Sequence, residues 1–163
     1  MLKSKQRALL GWVGVAALMV GMQSVVNHNL ITGDPPAISG PSLDGRHFDL
    51  AQLHGKPAVI YFWASWCPVC RGMQGTIQQI AKDFPAITVA MQSGNSAEVA
   101  RYMSESNFVA PTLTDDSGEI SKRYGLTGVP AVFVLGPEGK IRYATMGFTT
   151  EIGLRLRLWL ASR

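Results

Sequence analysis

The folded part of this 163-residue sequence has no excess of charge, and no acidic residue occurs before Asp34. Lys3, Lys5 and Arg7 precede the first apolar stretch, and without them the 15 basic residues fall to 12, against 11 acidic ones. The isoelectric point of about 9.3 therefore reflects mainly the N-terminus. Nucleic-acid binding needs a basic face on the folded part, so nucleic acid is excluded as a partner.

Metal ligands are scarce as well, because the sequence has only two cysteines and three histidines, His28, His47 and His54. Tetrahedral zinc needs four ligands, and these histidines stand at no recognisable ligand spacing, so a stable zinc site is not expected. The sequence also contains no internal repeat and no low-complexity tract. Its length is typical of one globular domain.

Residues 8–26 form one long stretch without a charge. As a helix this stretch spans roughly 28 Å, which matches a hydrocarbon core of about 30 Å. The basic residues before it place residues 1–7 in the cytoplasm and the rest of the chain outside. We therefore expect a single-pass anchor in a bacterial inner membrane, with the folded domain in the periplasm. A cleaved signal peptide is the alternative, although no Ala-x-Ala-like site follows Val26.

Either arrangement exports the domain to an oxidising compartment, where two cysteines can form a disulfide. Residues 27–41 are rich in Gly, Pro, Asn and Ser, which indicates a linker, assigned to residues 27–36. The folded domain is predicted over residues 37–163. Near its start, Asp44-Gly45 predicts the turn of a small hairpin within residues 42–53.

Strands and helices alternate through the rest of the domain, which predicts an α/β fold. The apolar run over residues 58–63 lacks polar alternation, as expected for a central strand buried on both faces. The pattern further predicts a helix over 68–83, a strand over 86–91, a helix over 96–106 capped by Ser96, a strand over 112–114, an antiparallel hairpin of 131–135 and 140–146, and a last helix from about Thr150. That last helix carries Ile152, Leu156, Trp159 and Leu160 on one side.

Cys67 and Cys70 stand where the buried strand gives way to a helix. Cys67 would cap the helix and Pro68 would be its first residue, where a proline gives up only an N–H without a helical partner. The N–H groups of Val69 and Cys70 then point at the Cys67 sulfur. Together with the helix dipole they lower the pKa of Cys67 below the usual value of about 8.5.

This asymmetry predicts a redox pair with divided roles. Cys67 is the nucleophile, and Cys70, one turn further into the helix, is the buried thiol that resolves the mixed disulfide. Because the dithiol carries the electrons, no cofactor is needed. Two alternatives stay open. One is a static disulfide, although a loop this short restrains the unfolded chain very little. The other is a copper module that binds Cu(I) through the two thiolates without redox turnover.

Two motifs, residues 61–70 (YFWASWCPVC) and residues 124–130 (YGLTGVP), occur in the order found in the thioredoxin superfamily. Over residues 37–163 the sequence resembles its membrane-anchored TlpA-like proteins, which include the cytochrome c maturation thioredoxins. The anchor combined with Cys-Pro-Val-Cys is most similar to the suppressor-of-copper-sensitivity protein D (ScsD) group. The resemblance implies a thioredoxin fold with an N-terminal β-hairpin extension and a central strand-helix insertion.

The resemblance also implies substrate-binding residues. Pro130 would be a cis-proline opposite the cysteines, Val129 would offer its backbone to an extended substrate strand, and Trp66 would shape the docking surface. Partners would be protein thiols and disulfides, with a function linked to copper tolerance or to cytochrome c maturation. As a reductant, the protein would be recharged by an integral-membrane redox partner similar to DsbD or ScsB.

Two positions depart from the pattern of the family. Thioredoxins carry a buried acid where this chain has Tyr61, and some TlpA-like reductases carry a glutamate where it has Met73. A buried acid can accept a proton while the resolving thiol ionises. Its absence leaves that proton to water, Tyr61 or another group, and the sequence does not determine whether the protein acts as reductant or oxidant.

Overall fold

The computed structural model describes residues 29–163, together with Trp12 and Gly14. The predicted cytoplasmic segment 1–7 and, apart from those two residues, the predicted anchor over 8–26 lie outside this part of the chain. Among the described residues, no helix has the length and apolar character needed to span a bilayer.

A short antiparallel hairpin begins the fold, in which β1 (Ser39–Pro41) pairs with β2 (His47–Asp49). The predicted Asp44-Gly45 turn lies between these strands, and Gly45 has the positive φ of 82° that a glycine adopts readily. The predicted hairpin over 42–53 is nevertheless shifted toward the N-terminus. Residues Leu50–Leu53 form a 3-10 helix instead of a strand, because the Asp49 side chain caps it at the backbone N–H of Ala51.

In the described part of the chain the main sheet has five strands, namely β3 (Ala58–Trp63), β4 (Ala86–Met91), β5 (Thr112–Asp115), β6 (Ala131–Leu135) and β7 (Ile141–Met146). They lie in the order β5-β4-β3-β6-β7. The central β3 is parallel to β4 and antiparallel to β6, and all six of its residues are buried. The expectation of a central strand buried on both faces is therefore confirmed.

Within residues 29–163, four α-helices cover this sheet, namely α1 (Pro68–Asp83), α2 (Ser96–Glu105), α3 (Glu119–Arg123) and α4 (Glu151–Ala161). One face of the sheet buries Ile77 of α1, Val99 of α2 and Leu158 of α4 against the odd-numbered residues of β3. The even-numbered residues of β3 pack on the other face, with Phe48 and Tyr124. This alternation is the period of two that a strand imposes on its side chains.

Three further local features differ from the sequence predictions. Asn95, not Ser96, caps α2, because its side chain accepts N–H bonds from Ala97 and Glu98 while the Glu98 carboxylate accepts the N–H of Asn95. The predicted linker is not a free tether from residue 29 on, since Leu30 is buried in the core. The hydroxyl of Tyr124 also donates to the carbonyl of Pro36 at 2.9 Å.

The last helix is the third difference. Ile152, Leu156, Trp159 and Leu160 do share one side of α4, but that side faces solvent. The core side consists of Leu154, Leu158 and Ala161. The helix has two apolar stripes, and the capping of Gly153 N by the Thr150 hydroxyl fixes where the helix begins on the sheet.

Candidate active site

Cys67 lies in the short connection between the end of β3 and the first turn of α1. Cys67 is the N-cap, with extended backbone angles of φ −96° and ψ 107°, and Pro68 occupies the first turn. The carboxyl ends of the parallel strands β3 and β4 lie at this same edge of the sheet, so the cysteines and the loop after β4 meet there. The sequence predicted this strand-to-helix junction, and the structure has it.

Cys67 and Cys70 are joined as a disulfide, with their Cα atoms 5.3 Å apart. The two sulfurs differ in their surroundings. Cys70 is fully buried, whereas Cys67 keeps 5% of its surface exposed. The backbone N–H of Cys70 donates to the Cys67 Sγ at 3.1 Å. In the reduced pair this N–H and the helix N-terminus both favour a negative charge on Cys67.

The loop before β6 lies against the disulfide. The Val129 carbonyl oxygen is 3.6 Å from the Cys67 Sγ, and the peptide bond between Val129 and Pro130 is cis. Pro130 is buried, and its carbonyl accepts the N–H of Gly147 at 2.7 Å. The structure therefore brings Cys67, Cys70, Val129 and Pro130 together at one end of the sheet.

Trp66 stands beside this pair with 59% of its surface exposed. Its indole Nε1–H donates to the Gln92 carbonyl at 3.0 Å, which holds the ring toward the loop after β4. Trp63 has a different environment, because it is fully buried and donates its Nε1–H to the Thr88 hydroxyl at 3.0 Å. Trp63 is a core residue, and Trp66 is the tryptophan that faces solvent at the site.

Tyr61 and Met73, the two positions noted in the sequence analysis as departures from the expected carboxylates, are both fully buried. The Tyr61 hydroxyl donates to the Cys70 carbonyl at 3.2 Å, which ties β3 to the first turn of α1. Burial is the main cause that raises the pKa of Tyr61, so the phenol stays neutral at physiological pH. Tyr61 therefore contributes a hydrogen bond to the backbone of Cys70 and no negative charge.

Ser93 is a site residue that the sequence analysis missed. Its hydroxyl accepts the N–H of Ser65 at 2.9 Å and donates to the Met91 carbonyl at 3.0 Å. It thus connects the loop before Cys67 to the loop after β4. The polar run over residues 92–95 follows a parallel strand next to β3, and that placement was the only signal in the sequence for such a contact.

The metal-ligand side chains of the described residues do not gather at the disulfide. His47 bonds to the Ser39 hydroxyl at 3.0 Å within the β1–β2 hairpin. Residues 29–163 contain no group of three or more His, Cys, Asp or Glu side chains placed to hold a metal ion. The only cysteine sulfurs available for Cu(I) are thus those of the Cys67 and Cys70 pair itself.

A disulfide at the N-terminus of a helix, next to a cis-proline loop on a sheet of this order, defines a thiol-disulfide oxidoreductase of the thioredoxin fold. Residues 31–144 match the family model described as AhpC/TSA family, and the chain belongs to that family.

The chain is also similar to proteins named as thioredoxin-like or as disulfide oxidoreductases. The chain is 36% identical to the "Thioredoxin-like protein" of Haemophilus influenzae over 121 residues, which is 73% of this chain and 72% of that protein. It is 25% identical to the "Thiol-disulfide oxidoreductase ResA" of Bacillus subtilis over 146 residues, covering 87% and 79% of the two chains. A solved structure of a secreted Mycobacterium tuberculosis disulfide oxidoreductase, homologous to E. coli DsbE, is 26% identical with a TM-score of 0.65, over 76% of this chain and 95% of that one. The protein is thus an oxidoreductase of the DsbE and ResA type.

Proposed function

We propose that this oxidoreductase exchanges disulfides with exported proteins, with Cys67 as the nucleophile and Cys70 as the resolving thiol. The observation that carries the proposal is the difference between the two sulfurs. The Cys67 Sγ accepts a backbone N–H and Cys67 keeps 5% of its surface exposed, whereas Cys70 is fully buried. A partner's disulfide can therefore reach Cys67 first.

The exchange proceeds in two steps. The Cys67 thiolate attacks one sulfur of the partner's disulfide, a mixed disulfide forms, and one partner thiolate leaves and takes up a proton. Cys70 then loses its proton, attacks the Cys67 sulfur and releases the second partner thiolate. The pair has lost two electrons and the partner has gained two. The reverse steps oxidise a partner dithiol.

Three residues around the pair are proposed to bind the partner. Val129 offers its backbone beside the Cys67 Sγ, Pro130 fixes the direction of that backbone, and Trp66 forms one wall of the docking surface. The proposal is supported by the 3.6 Å distance between the Val129 carbonyl oxygen and the Cys67 Sγ, and by the exposure of Trp66.

The proposal also includes the cellular location of the protein. We infer a protein of the TlpA-like, ScsD type, tethered to the inner membrane by residues 8–26 with its domain in the periplasm. The support is the length of the charge-free stretch and the basic residues before it. As a reductant in that compartment, the protein needs an integral-membrane redox partner of the DsbD or ScsB type, and copper tolerance or cytochrome c maturation is the process it would serve.

Thiol reactivity tests the assignment of the two cysteines. We expect iodoacetamide at about pH 6 to modify Cys67 of the reduced full chain at least about tenfold faster than Cys70, because the helix end favours the Cys67 thiolate and burial protects Cys70. Quenching at short times, followed by peptide mass spectrometry, gives both rates.

The same reaction in denaturant is the control, since unfolding removes the helix end and exposes both thiols. There the two rates should converge. Equal rates in the native protein, or faster modification of Cys70, would contradict the assigned roles.

A further inference from the structure

A tight turn connects the end of β3 to Cys67. The Cys67 N–H donates to the Ala64 carbonyl at 3.2 Å, so Ser65 and Trp66 are the two central residues of a four-residue turn. This turn determines where the Cys67 sulfur stands against the first turn of α1. The turn itself gives the N–H of Ser65 no acceptor, and that N–H needs a partner from another part of the chain.

Ser93 supplies this partner. Its hydroxyl accepts the Ser65 N–H at 2.9 Å and donates to the Met91 carbonyl at 3.0 Å. The bond to Met91 fixes the direction of the hydroxyl proton, which leaves a lone pair of the oxygen for Ser65. The Ser93 hydroxyl thus bridges the last residue of β4 and the turn before Cys67.

The loop that carries Ser93 is itself held in place. Gln92 has a positive φ of 44°, which residues other than glycine seldom adopt. Its N–H donates to the Asp115 carbonyl at 2.9 Å, and its carbonyl accepts the indole N–H of Trp66. The Asp115 carboxylate accepts the N–H groups of Ile120 and Ser121 at the start of α3. Ser93 therefore belongs to a loop that the end of β5 supports.

The reactivity of Cys67 depends on where the turn places its sulfur. The Cys67 Sγ accepts the Cys70 N–H at 3.1 Å and stands at the N-terminus of α1. Both contacts favour the thiolate of the reduced pair. Hydrogen bonds weaken steeply with poor alignment, and the effect of the helix dipole is confined to its first turn. Any movement of the turn therefore changes how strongly the thiolate is favoured.

Titratable side chains on the elements around the pair are bonded elsewhere. The Tyr61 hydroxyl donates to the Cys70 carbonyl, Arg71 lies over the ring of Tyr102, and the Asp115 carboxylate is bonded to α3. Residues 64–70, 92–95 and 126–131 contain no Asp, Glu, Lys, Arg or His. Backbone N–H groups are thus the main support of the Cys67 thiolate, and their direction relative to the sulfur depends on the turn.

We propose that Ser93 is a positioning residue for Cys67, whose hydroxyl holds the turn over residues 64–67 so that the Cys67 Sγ stays within reach of the Cys70 N–H. The inference rests on the proposed role of Cys67 as the nucleophile. Without the hydroxyl, the Ser65 N–H loses its partner, the turn gains freedom, and the thiolate is less favoured. Ser93 acts through the backbone of the turn and takes no proton from the pair.

The pH dependence of Cys67 alkylation tests this role. In the reduced full chain in detergent, Ser93→Ala should raise the midpoint of the iodoacetamide profile by about half a pH unit, a roughly threefold smaller acid dissociation constant. Ser93→Thr keeps the hydroxyl and should stay close to the wild-type midpoint. Ser93→Val has the shape of the threonine variant without the hydroxyl and should shift as Ser93→Ala does. Peptide mass spectrometry reports modification at Cys67 alone.

Ser42→Ala is the matched control. Ser42 is buried, and its hydroxyl donates to the Thr112 carbonyl at 3.1 Å at the start of β5. Because β5 runs parallel to β4 and β3, this start lies at the end of the sheet away from Cys67. The control loses the same kind of bond and should keep the wild-type midpoint. Urea unfolding verifies that each variant is folded. A shift in Ser42→Ala as large as in Ser93→Ala would contradict a specific role of Ser93.

Hydrogen exchange in the wild-type chain tests the bridge without any substitution. The Ser65 N–H, followed by NMR, should exchange at least about tenfold more slowly than in the unfolded chain, because the Ser93 hydroxyl accepts it. An unprotected Ser65 N–H would overturn the inference, whether or not the variants fold.

The outcomes separate the inference from the function beneath it. An unchanged midpoint in Ser93→Ala, or equal shifts in Ser93→Thr and Ser93→Val, would overturn the positioning role and leave disulfide exchange intact. A wild-type midpoint near the value of about 8.5 for free cysteine would overturn the activation of Cys67, and the inference with it.

Discussion

Replacement of Cys67 by serine should reduce the catalysis of insulin reduction by dithiothreitol to the uncatalysed rate, a loss on the order of a thousandfold or more. The serine hydroxyl does not ionise at neutral pH, and the remaining Cys70 thiol is fully buried, so no accessible nucleophile is left to attack the insulin disulfide. Turbidity of the released insulin B chain gives the rate for the full chain in detergent. Because dithiothreitol recharges the pair, the assay does not depend on the direction of electron flow in the cell.

Cys70→Ser is the informative companion variant. It keeps the nucleophile and the N-cap geometry at Cys67 but lacks the thiol that releases the mixed disulfide. With a disulfide peptide and no dithiothreitol, it should accumulate a covalent adduct at Cys67, seen as a mass increase that dithiothreitol removes. If Cys67→Ser formed the adduct and Cys70→Ser did not, the roles of the cysteines would have to be exchanged.

The same two variants separate the oxidoreductase from the copper module. A module that only binds Cu(I) would show stoichiometric copper binding in the wild-type chain and no insulin turnover. Both variants would then lose copper, because each removes one of two thiolates. Insulin turnover in the wild-type chain that disappears in Cys67→Ser excludes a purely metal-binding role for the pair.

The residues that carry this chemistry were predictable because their signals are local. The six apolar residues of β3 predict a strand with two buried faces, and the proline after Cys67 indicates the start of a helix. The antiparallel β6 and β7 hairpin follows from its turn at residues 137–139. In each case neighbouring residues determine the conformation, so one stretch of sequence contains the information.

The rest depends on contacts between distant segments. Ser93 reaches Ser65 only because β4 lies beside β3, and Gly147 reaches Pro130 only through the pairing of β7 with β6. The two apolar stripes of α4 look alike in the sequence, and the packing on the sheet decides that Leu154 and Leu158 are buried. No local sequence pattern predicts which of the two stripes of α4 is buried.

Tyr61 shows how a departure from the family pattern is accommodated. Its ring fills buried space in β3, and its hydroxyl bonds to the Cys70 carbonyl instead of offering a charge. A neutral group at this position cannot take the Cys70 proton in the resolving step at physiological pH, since burial raises the pKa of the phenol. In the proposed exchange this proton therefore passes to water or to a group other than Tyr61.

The packing of β3 against α2 sets the largest expected effect on stability. Trp63→Ala should lower the free energy of unfolding by about 4 kcal/mol, because a large side chain is removed from a fully buried position. The ring stacks on Tyr102 and meets the edge of Phe108, with centroids 5.4 Å away in both cases. Its Nε1–H bond to Thr88 is lost as well.

Trp63→Phe should cost less, about 2 kcal/mol, since it keeps an aromatic ring but not the hydrogen bond. Urea unfolding of the oxidised chain, followed by circular dichroism, measures both variants. The control is Trp159→Ala on the solvent-facing stripe of α4, where Trp159 is 51% exposed, and the change there should stay within about 0.5 kcal/mol. If Trp63→Ala lowered the free energy of unfolding as little as Trp159→Ala, the contacts of Trp63 would not be what holds β3 in place. The position of the redox pair after β3 would then depend on other core residues.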